Sequence, residues 1–108
     1  MPKPIKYKIV IFIPATHLTR VADAIFKAGA GKLGNYERAA FLSSGTGTFR
    51  PLLGAKPFRG KVGKREKVRE IRLETIVPAS KIKPVITALL ASHPYETPAY
   101  DVYPLADY

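Results

Sequence analysis

The sequence has no cysteine, no tryptophan and a single methionine among its 108 residues. Without cysteine there can be no disulfide, no thiolate zinc site and no cysteine nucleophile, and the composition fits a reducing compartment. Histidine is scarce as well: His17 and His93 are the only two, which excludes a three-histidine catalytic zinc site within one chain. Long apolar runs are missing. The longest, Ile9 to Ile13, falls far short of the ~20 residues a helix needs to span a bilayer. The basic start Met-Pro-Lys-Pro-Ile-Lys is cut off from that run by Tyr7 and Lys8, Pro14 ends it, and no clean small-residue cleavage site follows. The expectation is a cytoplasmic protein without a membrane segment.

Acids are the other shortage, with 8 Asp and Glu against 18 Lys and Arg, a net charge of +10. The remainder is ordinary for a globular protein, 46% hydrophobic and 24% charged, which separates the chain from disordered tails. Its length fits a single domain over residues 1–108. A domain of this size buries a limited share of its surface, so an oligomer interface is expected to contribute to its stability.

Tyr7 to Ile13, rich in Ile, Val and Phe, predicts a buried strand. Leu18, Val21, Ala22, Ile25 and Phe26 then recur at helical spacing, and Gly29 ends that helix because glycine enters a left-handed cap without steric cost. Further strands are predicted at Arg38 to Ser44 and at Glu66 to Val77, the latter with Ile71, Leu73 and Thr75 on one face and Glu70, Arg72 and Glu74 on the other. Ile82, Val85, Ile86, Leu89 and Leu90 repeat the helical spacing, with Ser80 as the expected N-cap and Pro84 in the first turn. A last, proline-fenced strand is expected from Pro98 to Tyr103 at a sheet edge. Two strand-helix-strand units of similar length predict an α+β, ferredoxin-like βαββαβ sandwich. Its four-stranded antiparallel sheet would carry both helices on one face.

Gly45 to Lys64 is expected to be a loop of 20 residues, seven of them Gly or Pro. Loops that long in a compact domain are commonly functional or mobile. This one carries Arg50, Lys56, Arg59, Lys61 and Lys64 and no acid.

Gly29-Ala-Gly-Lys-Leu-Gly34 spells G-x-G-x-x-G, but it follows a helix and precedes a strand, the reverse of the dinucleotide-binding order. Leu33 after Gly31-Lys32 likewise excludes a P-loop, which needs Ser or Thr there. Gly45-Thr-Gly-Thr-Phe-Arg50 could gather backbone N–H groups around an anion clamped by Arg50; the alternative is a β-bulge or hairpin end needing positive φ. His93-Pro-Tyr-Glu96 places an imidazole and a carboxylate three residues apart, able to share a metal or pass a proton. The alternative for His93 is a cation at a helix C-terminus. His17 has no nearby acid and is expected to be exposed. Lys56 to Arg72 holds eight cations and two acids with Phe58 among them, enough for non-specific phosphate attraction. No recognition helix, RNP-type aromatic strand or GXXG clamp accompanies it, so nucleic acid is not the favoured partner.

Three blocks together carry a family resemblance: Gly29-Ala-Gly-Lys-Leu-Gly-Asn-Tyr-Glu37; Gly45-Thr-Gly-Thr-Phe-Arg-Pro51 continuing through Gly54-Ala55 to Gly60, Gly63 and Glu66; and His93-Pro-Tyr-Glu-Thr-Pro-Ala-Tyr-Asp-Val-Tyr-Pro-Leu105. In order and spacing they resemble the domain inserted in bacterial members of the NGG-interacting-factor-three-like family, and the chain looks like a stand-alone version of it. The resemblance implies a PII/CutA-like fold, whose relatives commonly form trimers. In PII proteins the long loop between the second and third strands reaches partners and helps to hold nucleotide, and CutA-like proteins carry a His-x-Tyr-Glu-type segment similar to His93–Glu96. The full-length family binds two metal ions through residues of flanking domains, and some members are labelled GTP-cyclohydrolase-like on that basis. This sequence contains no counterpart of those domains, so a non-enzymatic role is expected.

The resulting expectation is a homotrimeric binding or regulatory module that takes an anionic small molecule or a partner protein at clefts between subunits. Gly31, Asn35, Tyr36, Gly47, Thr48, Arg50 and Tyr95 are the candidate ligand-binding residues. His93 and Glu96 are candidates for a divalent metal, and a metal-dependent enzyme built on them is one alternative. A nucleic-acid module driven by residues 56–72 is the other.

Overall fold

A computed structural model describes residues 3–108. The elements run β1 (Lys6–Pro14), α1 (Leu18–Ala28), β2 (Ala40–Phe49), β3 (Glu66–Pro78), α2 (Ile82–Ser92) and β4 (Tyr100–Pro104), with a short 3₁₀ turn leading into each helix. The strands form one antiparallel sheet in the order β2-β3-β1-β4. This is the ferredoxin-like βαββαβ arrangement expected from the alternation of strand and helix patterns.

Register explains which side chains go where. Ile9, Ile11 and Ile13 of β1 lie opposite Thr75, Leu73 and Ile71 of β3, on the face covered by the helices. With Val21 and Ile25 of α1 and Val85 and Leu89 of α2 they make the core, all but Thr75 and Ile71 fully buried. Thr75 sits in this apolar layer because its hydroxyl donates to the Ala39 carbonyl at 2.6 Å. Leu90, grouped by spacing with the buried side of α2, is instead 49% exposed. The other sheet face presents Phe12 and Arg72, directly opposite one another, and Glu70.

Four boundaries move from their expected places, the last strand running from Tyr100 to Pro104 and not from Pro98 to Tyr103. Gly45 to Phe49 belongs to β2, pairing residue by residue with Glu70 to Glu66, so the long loop spans 50–65. β2 begins at Ala40 because Arg38 is left-handed, with φ 58°. That conformation is held by a pair with Asp23 and by stacking on Phe26 at 4.8 Å. Ser80 lies in the 3₁₀ turn before α2 and makes no cap; Lys81 holds the N-cap position without a side-chain bond. Gly29 ends α1 as expected, at φ 125°.

Candidate functional site

β1 and β2 end, and β3 begins, under the 50–65 loop, and the 94–99 segment before β4 closes the same corner. Between them lies a cavity of about 610 Å³. Its walls are aromatic and apolar: Phe12 from β1, Phe49 from β2, Phe58 and Pro51 from the loop, and Tyr95 from the segment after α2. Phe49 and Phe58 pack at 6.0 and 6.2 Å from the Tyr95 ring. Arg59 and Arg72 bring cations, Thr46 and Thr48 hydroxyls, and Glu70 and Glu96 carboxylates.

Gly47 is required by a side chain across the strand pair. A Cβ at this position would lie 2.0 Å from Glu70 Oε1, so the glycine makes room for the carboxylate. Neither Gly45 nor Gly47 has positive φ and the ladder is unbroken, which replaces the bulge reading with a close-approach one. Glu70 in turn accepts a hydrogen bond from the Tyr95 hydroxyl at 2.8 Å. Burial, and secondly that bond to a carboxylate, raises the Tyr95 ionisation well above the ordinary phenol range, so it remains a donor.

His93 stands behind this wall, 6% exposed. Its Nε2–H donates to the Phe12 carbonyl at 2.8 Å, and its Nδ1 accepts the Tyr95 backbone N–H at 3.1 Å. This pattern needs the neutral ring, since a proton on Nδ1 would face the Tyr95 N–H. Burial lowers the His93 pKa from 6.5, outweighing the Phe12 hydrogen bond and the Glu70 charge, so the expected helix-end cation is a neutral brace. A metal on this ring would have to displace a backbone partner. Glu96 is engaged elsewhere, accepting the Lys56 backbone N–H at 3.0 Å and so latching the loop to the 94–99 segment. Among the described residues no group of three or more His, Asp or Glu side chains is arranged to hold a metal.

The remaining candidates divide. Gly47, Thr48, Tyr95 and Glu96 line the cavity, and His93 supports it. Arg50 braces the loop, donating from Nε to the Gly63 carbonyl at 3.0 Å. Gly31, Asn35 and Tyr36 lie at the far end of the sheet, where Gly31 N–H bonds the Ile76 carbonyl. Sequence reasoning missed Phe12, Glu70 and Arg72, which looked like strand residues, and Phe58 and Arg59, which looked like part of a charge run. It also missed His17, half-buried with its ring edge-on to Phe58 at 5.2 Å. Among the cavity's hydroxyls that of Tyr95 meets a carboxylate, Glu70, and burial keeps this phenol protonated; no Ser or Thr hydroxyl of the lining is hydrogen-bonded to an imidazole or carboxylate, as general-base activation would need.

With both helices on one face of the sheet and an extended connection between its second and third strands, the chain has a PII/CutA-like fold. It resembles CutA1 from Shewanella sp. SIB1 (TM-score 0.69, 15% identity, covering 98% of this chain and 86% of that one) and Arabidopsis thaliana PII (0.63, 16%, 99% and 81%). It is also similar in sequence to one stretch of proteins related to NIF3. A Bacillus cereus protein related to NIF3 matches it with TM-score 0.82 and 46% identity, over 99% of this chain and 27% of that one. A "GTP cyclohydrolase 1 type 2 homolog" from Halalkalibacterium halodurans is 52% identical over 101 residues, 94% of this chain and 27% of the relative. The chain thus spans about a quarter of the length of the curated relatives it matches. No protein-family model matches it. None of the helices among the described residues is long and apolar enough to cross a membrane.

Proposed function

We propose that residues 1–108 act as one cytoplasmic, homotrimeric binding module that takes an anionic small molecule with a flat, apolar body. The cavity carries this reading. Phe12, Phe49, Phe58 and Tyr95 supply apolar walls, Arg59 and Arg72 supply cations, and the 50–65 loop above adds five further cations and no acid. Predominantly apolar walls with a few placed charges bind by area and orient by charge. The Arabidopsis PII relative was crystallised with citrate, a small polyanion. The reading is one of binding, because the cavity offers donors and charge but no activated nucleophile.

Assembly into trimers is supported by β2. Ten residues long and uncharged, it is an open sheet edge, with Phe41 and Leu42 66% and 49% exposed. An edge of that kind invites pairing unless something covers it, and further copies of the chain would do so.

A thermal-shift screen against citrate, ATP, GTP and divalent cations tests the ligand class, since a ligand that prefers the folded state raises its apparent stability. The expected result is stabilisation by an anion that is lost in Arg59→Ala. Stabilisation by a divalent cation alone, lost in Glu96→Gln, would point to the metal alternative. Sedimentation at micromolar concentration tests assembly, and a clean monomer would remove the trimer.

A further inference from the structure

We infer that the tip of the 50–65 loop docks on the surface of a bilayer rich in anionic lipid, with Leu52, Leu53 and Val62 entering the headgroup layer. The loop is built from two tight turns. Leu52 to Ala55 is closed by the Ala55 N–H, which donates to the Leu52 carbonyl at 3.0 Å, with Gly54 at φ 95°. Lys61 to Lys64 is closed in the same way at 3.1 Å, with Gly63 at φ 81°. Positive φ at the third position marks a type II turn and suits glycine. The two turns are tied together: the Gly63 N–H donates to the Pro51 carbonyl at 2.8 Å, and Arg50 Nε donates to the Gly63 carbonyl at 3.0 Å. Pro51 is buried and Glu96 holds the Lys56 N–H, so the first turn is fixed to the body on both sides.

Each turn carries an apolar residue at its second position, Leu53 95% and Val62 48% exposed, and Leu52 is 69% exposed beside them. Ordered backbone therefore holds three apolar side chains in water, and exposed apolar groups gathered in this way mark interaction sites. None of the three lines the cavity. Around them stand Arg50, Lys56, Arg59, Lys61, Lys64 and Arg65, with no acid from 50 to 65. Among the described residues none of these cations is in a salt bridge. Charge complementarity selects the occupant. An anionic bilayer offers phosphates to the cations beside acyl chains for the leucines, and stable anchoring takes two such signals together. Long Lys and Arg side chains keep their charges at headgroup level while the turns go deeper. A nucleic acid would satisfy the cations but leave the leucines in water, because bases stack on rings. The loop's one ring, Phe58, packs against Tyr95 and His17 instead.

The absence of tryptophan gives a silent background for the test. Leu53→Trp is mixed with vesicles of phosphatidylglycerol and phosphatidylcholine in equal parts, and separately with vesicles of phosphatidylcholine alone. The inference expects co-sedimentation with the first and not the second, a blue shift of the tryptophan emission, and quenching by brominated acyl chains. Leu90→Trp, on α2, is expected to co-sediment equally and to show neither spectral change. A Leu52→Ser, Leu53→Ser chain should bind about tenfold more weakly than the wild type at an unchanged melting temperature. Raising NaCl from about 0.1 M to about 0.5 M should release the wild type. No co-sedimentation with the anionic vesicles overturns the inference. Co-sedimentation with an unshifted Leu53→Trp emission, or with full affinity in the serine variant, also overturns it, because charge alone then makes the contact. So does binding of a DNA duplex at a salt concentration that releases the protein from vesicles, a result that assigns the loop to nucleic acid.

Discussion

The two faces of this sheet are built on opposite terms. Toward the helices, Ile9, Ile11, Ile13 and Leu73 interlock with Val21, Ile25, Val85 and Leu89, and the one polar side chain, Thr75, has its carbonyl partner. Toward the loop, Phe12, Glu70, Arg72 and Tyr95 mix rings with charges around an open space. The first face is specified by volume and by exclusion of water, the second by a chain of hydrogen bonds. Phe12 carbonyl, His93, the Tyr95 backbone, the Tyr95 hydroxyl and Glu70 follow one another, with Gly47 leaving room for the last. The helix face should therefore respond to lost volume, and the open face to lost partners.

The largest expected effect is on the first face. Leu73→Ala leaves a void in a fully buried layer and should cost about 2–5 kcal/mol, read from urea unfolding midpoints. A cost below about 1 kcal/mol would mean that this layer is not the centre of the fold.

Next comes His93→Ala, which strips the Phe12 carbonyl and the Tyr95 N–H of their partner in a buried setting, for a cost of about 1–3 kcal/mol. The same residue sets a pH dependence. His93 has a folded pKa below 6.5, so the unfolded chain takes up a proton that the native state refuses. Its contribution is present above that value and is lost as pH falls through it, with Glu70 opposing and His17 reinforcing the shift. Melting temperatures taken from pH 7.5 down to 5 should decline more steeply for the wild type than for His93→Gln; parallel declines would break the assignment.

A smaller effect is expected from Glu70→Gln, which preserves shape and removes charge. Stability should change by less than about 1 kcal/mol, while Tyr95 ionises at lower pH than in the wild type by ultraviolet titration. Gly47→Ala should mimic this spectroscopic change by pushing the Glu70 carboxylate aside. Smallest of all, Asp23→Ala removes an exposed partner of Arg38 and should cost under about 1 kcal/mol, less still at high salt.

The fold was readable because its signals are local. Alternation in Tyr7 to Ile13, the helical spacing from Leu18 to Phe26 and the glycine at position 29 each report on neighbours a few residues away. The site was readable only in part. Tyr95, Glu96, Gly47 and Thr48 stood out as motif residues and do meet at the cavity, but Glu70 and Phe12 looked like any strand residues. Gly47 was singled out for the wrong reason, because its explanation is a carboxylate 23 positions later in the chain.

What the sequence determined by itself was the order of elements, the core-facing sides of α1 and β3, and the concentration of cations between β2 and β3. Those follow from periodicity and composition, which act over one or two turns of chain. The tertiary structure alone decided that His93 is a neutral brace, that Glu70 lies over Gly47, and that Arg38 to Tyr36 and the cavity occupy opposite ends of the sheet. Burial, strand register and desolvation set those outcomes, and each depends on which residues distant in sequence are brought together.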